Sequence, residues 1–145
     1  MQTTVDIITS LESESHSLKL PLYLNRVPAG FPSPSDEVSE GSLDLNAYLI
    51  PKPVSTFLVR ASGHSMEGAG IFSGDLLVVD RSQKPTHRKI VVVALNGELM
   101  VKRLSVVKEK VSLLSEHADY PPVEMGAMED LVVWGVVTFV IHDPT

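Results

Sequence analysis

The sequence contains no cysteine, which excludes a disulfide framework, a thiolate nucleophile and a cysteine-ligated zinc site. Basic residues are also few, because 12 Lys and Arg stand against 18 Asp and Glu and give a formal net charge of −6. No dense basic cluster is present to follow a phosphate backbone, so we do not expect direct nucleic-acid binding. A chain without cysteine suits a reducing compartment, and we expect a cytoplasmic protein.

Long hydrophobic runs are lacking as well. The most apolar run, residues 131–141, is about half as long as the roughly 20 residues that a membrane-spanning helix needs. The N-terminal stretch MQTTVDIITSLESESHSLKL has neither the basic start nor the continuous apolar segment of a secretory signal. We therefore expect no membrane segment.

The histidines do not have the spacing of a metal site. His64, His87, His117 and His142 form no close ligand pair of the HExxH kind. With cysteine absent too, we expect neither a metal nor another cofactor.

The pattern that is present indicates a mainly β domain. From Thr56 onward, short runs of Val, Ile and Leu are bounded by Gly, Asn, Asp or Pro, as in strands joined by turns. Asn96-Gly97 predicts a type I′ hairpin, because both residues tolerate positive φ. The predicted strands are 56–61, 76–80, 90–95, 98–104, 111–115 and 131–142.

The N-terminal third has a different composition. The stretch RVPAGFPSPSDEVSEGS is rich in proline, glycine and acids and has no apolar periodicity, so we predict an extended arm over residues 1–43 and a β-rich domain over 44–145. At the boundary, Asp44 should cap a short helix that runs to Leu49 and is stopped by Pro51. We expect the proline-rich stretch to keep the backbone around Ala29-Gly30 elongated, which is the conformation that a protease cleft requires.

Ser65, in the stretch ASGHSMEG, is either a nucleophile or a turn residue. A serine nucleophile needs a base, and the adjacent His64 would usually point elsewhere. Lys102 is the better candidate, because strand alternation places it on one face with Met100 and Leu104, and apolar burial would lower its pKa. From residue type and spacing alone, a turn serine and a lysine extended towards solvent remain the favoured interpretation.

Four segments together resemble the UmuD proteins, which are SOS mutagenesis proteins related to the self-cleaving LexA-type peptidases. They are AGFPSP (29–34), ASGHSMEGAGI (61–71), SGDLLVVD (73–80) and GELMVKRL (97–104). The separation of Ser65 and Lys102 along the chain also resembles the family's spacing of nucleophile and base. The resemblance implies a β-fold like that of the LexA/UmuD C-terminal domain.

The resemblance further implies an activity and partners. Neutral Lys102 would take the proton from Ser65, whose oxygen would attack the carbonyl of Ala29 in the Ala29-Gly30 bond. The protein would be a homodimer, cleaved under stimulation by RecA filaments on single-stranded DNA. The truncated product, residues 30–145, would join a UmuC-like Y-family DNA polymerase in translesion synthesis.

The sequence departs from the family in two places and leaves alternatives open. His64 stands where an aspartate is common, and Arg88-Lys89 stands where a Gly-Asp pair often precedes the next strand. One alternative is a LexA-type regulator, although the residues before the proposed cut leave little room for a helix-turn-helix domain. Others are a signal-peptidase-like enzyme and a non-catalytic subunit that only binds a polymerase.

Overall fold

The computed structural model describes residues 2–10, 17–23, 39–125 and 131–145. Short 3₁₀ turns cover Pro53–Ser55 and Glu67–Ala69. The regular elements are β1 (Thr4–Ser10), β2 (Lys19–Tyr23), β3 (Ser39–Asp44), α1 (Leu45–Leu49), β4 (Thr56–Ser62), β5 (Leu76–Asp80), β6 (Ile90–Leu95), β7 (Glu98–Val107), β8 (Lys110–Leu114), β9 (Val123–Met125) and β10 (Val133–Ile141).

The chain divides into two compact units. One comprises Met1–Ser13 with Lys52–Thr145, and the other comprises Glu14–Pro51. The smaller unit contains the antiparallel pair β2–β3 and the helix α1. In α1, the side chain of Asp44 accepts hydrogen bonds from the backbone N–H groups of Asn46 and Ala47, so the predicted N-cap is confirmed.

The larger unit is built on one antiparallel sheet of eight strands in the order β1-β4-β5-β10-β6-β7-β8-β9. An additional pairing between Thr4 and Met100 joins β1, the first strand of this order, to β7, the sixth. These six strands therefore form a closed circle of paired neighbours. β1 is therefore the strand that fills the gap between β4 and β7. This gap separates the two segments that carry the candidate nucleophile and base.

The central strands are apolar on both faces, which explains their unbroken runs of valine. In β6, Val92 belongs to one buried cluster with Val59, whereas Val91 and Val93 belong to a second cluster with Leu104. Side chains alternate across a strand, so a strand covered on both sides needs apolar residues at every position. The mainly β fold expected from the sequence is thus confirmed.

The local sequence signals predicted most strand positions well. β5 and β6 have the predicted bounds, while β7 continues to Val107 and β8 begins at Lys110. Asn96 and Gly97 have φ of 50° and 81°, as the predicted hairpin between β6 and β7 requires.

Four strands were not predicted: β1, β2 and β3 begin within residues 1–43, and the fourth is β9 (Val123–Met125). β1 has the β-branched residues of a strand but lies in the segment interpreted as an arm, β2 contains a proline, and β3 contains a glycine with φ of 132°. Their pairing comes from distant partners, which an alternation pattern in a short window does not reveal. The proposed cleavage site, Ala29-Gly30, lies outside the described residues.

Candidate active site

Ser65 lies in a tight loop that follows β4 and is fully buried. Gly63 has φ of 96°, which lets the chain turn sharply before the serine, and a 3₁₀ turn follows it. The backbone of Glu116 holds this loop from the opposite side. Its N–H donates to the carbonyl of Ser65 at 2.7 Å, and its carbonyl accepts from the N–H of Gly68 at 2.8 Å.

Lys102 lies on β7 with only 1% of its surface exposed. Its cross-strand partner Val91 and its neighbour on the same face, Leu104, are fully buried. The Nζ atom donates to Ser115 Oγ at 2.8 Å and to Gln2 Oε1. Burial disfavours the charged form and lowers the pKa of Lys102 below its ordinary value.

Glu116 also connects the serine loop to the strand that carries the lysine. Its side chain forms an ion pair with Arg103, which adjoins Lys102 on β7. The same residue thus holds Ser65 through its backbone and β7 through its carboxylate. These contacts fix the loop relative to the strand, as a pair of reacting groups requires.

Residues Gln2 and Thr3 connect the two candidate groups in the described structure. Ser65 Oγ accepts the N–H of Thr3 at 2.5 Å and donates to Thr3 Oγ1 at 2.7 Å. The Nζ of Lys102 donates to the side chain of Gln2, which also accepts from Ser115 Oγ at 3.3 Å. Ser65 and Lys102 are thus each hydrogen-bonded to this N-terminal segment and share no hydrogen bond with each other.

One oxygen atom in the site has two donors. Thr3 Oγ1 accepts the hydroxyl of Ser65 and, at 3.2 Å, the backbone N–H of Met66. A serine oxygen next to a backbone N–H is the arrangement that acyl-transfer enzymes use to attack a carbonyl and to bind the resulting oxyanion. The site can therefore hold an oxygen atom beside a nucleophile, with a desolvated lysine nearby.

The two departures from the family pattern lie at the edge of this site. His64 is exposed, and its Nδ1 is 2.7 Å from Glu67 Oε1, so its ring pairs with the following turn rather than with Ser65. Arg88 has φ of 74°, a left-handed conformation that favours glycine. Its carbonyl accepts from Arg103 at 2.7 Å, and its N–H donates to Leu104 at 2.8 Å.

Within residues 2–10, 17–23, 39–125 and 131–145, no three of His, Asp or Glu are placed to hold a metal ion. In the same ranges, no helix has the length and apolarity needed to cross a membrane.

Comparison with known proteins identifies the family. The model of the Peptidase S24-like family matches residues 21–138, so the chain belongs to that family. Protein SamA of Salmonella typhimurium is 44% identical over 136 residues, which cover 94% of each chain. Protein ImpA of Escherichia coli is 47% identical over 122 residues, which cover 84% of this chain and 83% of ImpA.

A third relative covers almost as much of the chain. Protein MucA of Escherichia coli is 40% identical over 136 residues, which cover 92% of this chain and 91% of MucA. Together with the family model, these relatives confirm the UmuD-like, Peptidase S24-like assignment and the LexA/UmuD type of β-fold.

Four residues around the candidate dyad were missed by the sequence analysis: Gln2, Thr3, Ser115 and Glu116. Ser115 was predicted only as the end of a strand, and Gln2 and Thr3 only as part of an arm. All four reach the site through contacts between residues far apart in sequence. Gln2 and Thr3 are two polar residues just before β1. Such a pair carries no local signal that would have revealed its role in the site.

Proposed function

We propose that this chain is a self-cleaving serine peptidase in which Ser65 is the nucleophile and Lys102 the general base, acting on the Ala29-Gly30 bond. The observation that carries the proposal is the burial of Lys102, which donates a hydrogen bond to Gln2, while the adjacent Thr3 is hydrogen-bonded to the buried Ser65. Burial favours a neutral amine, and only a neutral lysine can accept the proton of a serine. Membership in a peptidase family supports the same assignment.

The proposed reaction has two stages. In the first, Lys102 Nζ takes the hydroxyl proton as Ser65 Oγ bonds to the carbonyl carbon of Ala29, and the Ala29-Gly30 C–N bond then breaks. The lysine ammonium returns its proton to the departing amine of Gly30. In the second, water attacks the acyl-enzyme ester, Lys102 takes a proton from that water and returns it to Ser65 Oγ as the ester bond breaks, and the new carboxylic acid at Ala29 releases its remaining proton to solvent.

The backbone N–H of Met66 supports the tetrahedral intermediate in this proposal. It already donates to the oxygen that lies beside Ser65 Oγ. Donation to an oxyanion is stronger than donation to a neutral hydroxyl, so this contact favours the transition state over the ground state. Because substrate and enzyme belong to one chain or one assembly, the effective concentration of the scissile bond is about 10⁵ M. This high effective concentration compensates for a slow chemical step.

We further propose a role in the SOS response. The truncated form, residues 30–145, would serve as the accessory subunit of a UmuC-like Y-family polymerase in translesion synthesis. Cleavage would occur in a cytoplasmic homodimer and would be stimulated by RecA filaments on single-stranded DNA. Similarity to SamA, ImpA and MucA over most of the chain supports this role. The alternative is a non-catalytic polymerase-binding subunit or a LexA-type regulator with the same fold.

The decisive experiment follows the intact mass of the purified chain over time, at neutral and alkaline pH and with RecA filaments. The wild-type protein should yield a fragment that begins at Gly30, and Ser65→Ala should yield none under any condition. Failure of the wild type to yield the fragment would favour the non-catalytic subunit. A fragment from Ser65→Ala would assign the cut to another nucleophile or to a contaminating protease.

Ser115 provides a second test of the proposed base. Its hydroxyl accepts a hydrogen bond from Lys102 Nζ, so it orients the amine and stabilises the ammonium form. Ser115→Ala should lower the maximal cleavage rate about 10- to 100-fold, because a misplaced reacting group loses rate steeply. It should also shift the pH profile of cleavage to lower pH.

The matched control is Ser112→Ala on β8, the strand that ends just before Ser115, where Ser112 pairs with Ser105 on β7. This variant should cleave at close to the wild-type rate. Equal losses in both variants would indicate that Ser115 acts only through the packing of β8.

A further inference from the structure

The N-terminal strand fills a gap that the rest of the sheet leaves open. β1 pairs with β4 along its length, from Thr4 opposite Ser62 to Ser10 opposite Phe57. On its other side it meets β7 at Met100, ahead of the stretch of β7 that pairs with β8. Without β1, the outer edge of β4 and this part of β7 would present unpaired backbone groups.

This gap lies directly beside the proposed catalytic groups. Ser65 follows the end of β4, and Lys102 follows the part of β7 that β1 contacts. The backbone of Thr3 spans the gap, because its N–H donates to Ser65 Oγ at 2.5 Å and its carbonyl accepts from the N–H of Val101 at 3.1 Å. An extended segment in this gap therefore bridges the two sides of the site.

We infer that the gap between β4 and β7 is a strand-accepting peptide site and that residues 2–10 of this chain are its resident occupant. The occupant blocks the dyad until it withdraws. This inference rests on the proposed function, since it concerns access to the same nucleophile. The site takes an extended peptide by β-strand addition, in which backbone hydrogen bonds supply most of the affinity.

Two contacts show that residues 2–10 and a substrate exclude each other. A scissile carbonyl carbon must come within about 3.5 Å of Ser65 Oγ, and the N–H and hydroxyl of Thr3 already occupy that space. The proton of Ser65 is donated to Thr3, while Lys102 Nζ is directed to Gln2 and Ser115. Neither group is free to act while β1 is in place.

The described side chains of this occupant hold it in the site. Val5 is an apolar anchor, with 5% of its surface exposed, and Thr3 is fully buried among polar partners. Thr3 and Gln2 make their side-chain hydrogen bonds to the residues that a substrate would engage. The cleavage rate should therefore equal the rate of the open site multiplied by the fraction of molecules in which β1 has withdrawn.

A reversible crosslink tests the inference. Thr4 Oγ1 and Ser62 Oγ are 2.9 Å apart on paired residues, a separation that suits replacement of both by cysteine and closure of a disulfide. Because the chain has no other cysteine, Thr4→Cys/Ser62→Cys can form one intramolecular bond. Oxidation should lower self-cleavage at least about 100-fold relative to the same protein after reduction.

Two readouts separate this inference from the proposed function. Cleavage compares the oxidised and reduced forms, with the single variants Thr4→Cys and Ser62→Cys as controls for oxidation itself. Hydrogen exchange at the amide of Val101 does not depend on catalysis. It should be at least about tenfold slower in the oxidised form, because that amide loses its acceptor when β1 withdraws.

Each outcome has one meaning. Measurable cleavage at the same rate in the oxidised and reduced forms would overturn the inference, as would a disulfide that does not form or equal exchange at Val101. If neither form nor the wild type cleaves while exchange at Val101 still depends on the crosslink, the strand site stands and the proposed peptidase activity fails.

Discussion

Replacing Lys102 by methionine should reduce self-cleavage by about 10³-fold, because general-base assistance contributes on that order. The amine is the only group that the proposed mechanism assigns to proton transfer, and methionine offers no proton acceptor of useful basicity. Release of the fragment that begins at Gly30, followed by intact mass, measures the effect. Lys102→Arg should be just as inactive, since the guanidinium stays protonated in proteins.

The methionine variant should remain folded, which makes its loss of activity interpretable. Lys102 has 1% of its surface exposed, so its charged form pays a desolvation cost that methionine avoids. We expect the free energy of unfolding at neutral pH to rise by about 1 kcal/mol, with the loss of two hydrogen bonds offsetting part of the gain. A methionine variant that unfolds under the assay conditions would contradict this account.

The pH dependence of the wild type follows from the same group. Since the pKa of Lys102 is lowered in the folded protein, the folded state binds fewer protons than the unfolded state between that pKa and the ordinary lysine value of 10.5. Within this window, the stability contribution of Lys102 rises with pH, and the methionine variant should lack that slope. Cleavage should increase about tenfold per pH unit below the folded pKa and level off above it. A rate that does not change with pH would argue against a lysine base.

The sequence predicted the parts of the fold that depend on local signals. Asn96-Gly97 set the turn between β6 and β7, and Asp44 set the start of α1, because each acts on backbone groups within a few residues. The resemblance to UmuD proteins pointed to Ser65 and Lys102, which are hydrogen-bonded to the adjacent residues Thr3 and Gln2 in the structure. The catalytic role of both residues stays a prediction.

The rest of the site depends on contacts between distant residues. Thr3 and Ser65 meet because β1 pairs with β4, and nothing in the stretch around Thr3 indicates that pairing. Glu116 follows a predicted strand. The stretch that it begins has the composition of an ordinary solvated turn. Its importance arises from backbone groups that bond to Ser65 and Gly68, and backbone groups are the same in every residue type.

Gly68→Ala should lower both stability and self-cleavage. A Cβ at this position would come within 2.6 Å of the carbonyl oxygen of Glu116, the same atom that accepts the N–H of Gly68. The backbone must shift to relieve this contact, at a cost of about 1–3 kcal/mol in the free energy of unfolding. The shift separates the Ser65 loop from Glu116, so we expect cleavage by folded molecules to fall about 100-fold.

Gly135→Ala is the matched control, because it introduces a similar conflict away from Ser65. Its Cβ would lie 2.6 Å from Val79 Cγ1 and 3.2 Å from the carbonyl oxygen of Asp80, within the sheet formed by β5 and β10. Chemical denaturation should show comparable losses of stability for the two variants, whereas only Gly68→Ala should cleave slowly under conditions in which both are folded. Equal cleavage by the two would mean that the Ser65 loop keeps its geometry without its contact to Glu116. A selective loss in Gly68→Ala would show that the backbone of Glu116 positions the nucleophile.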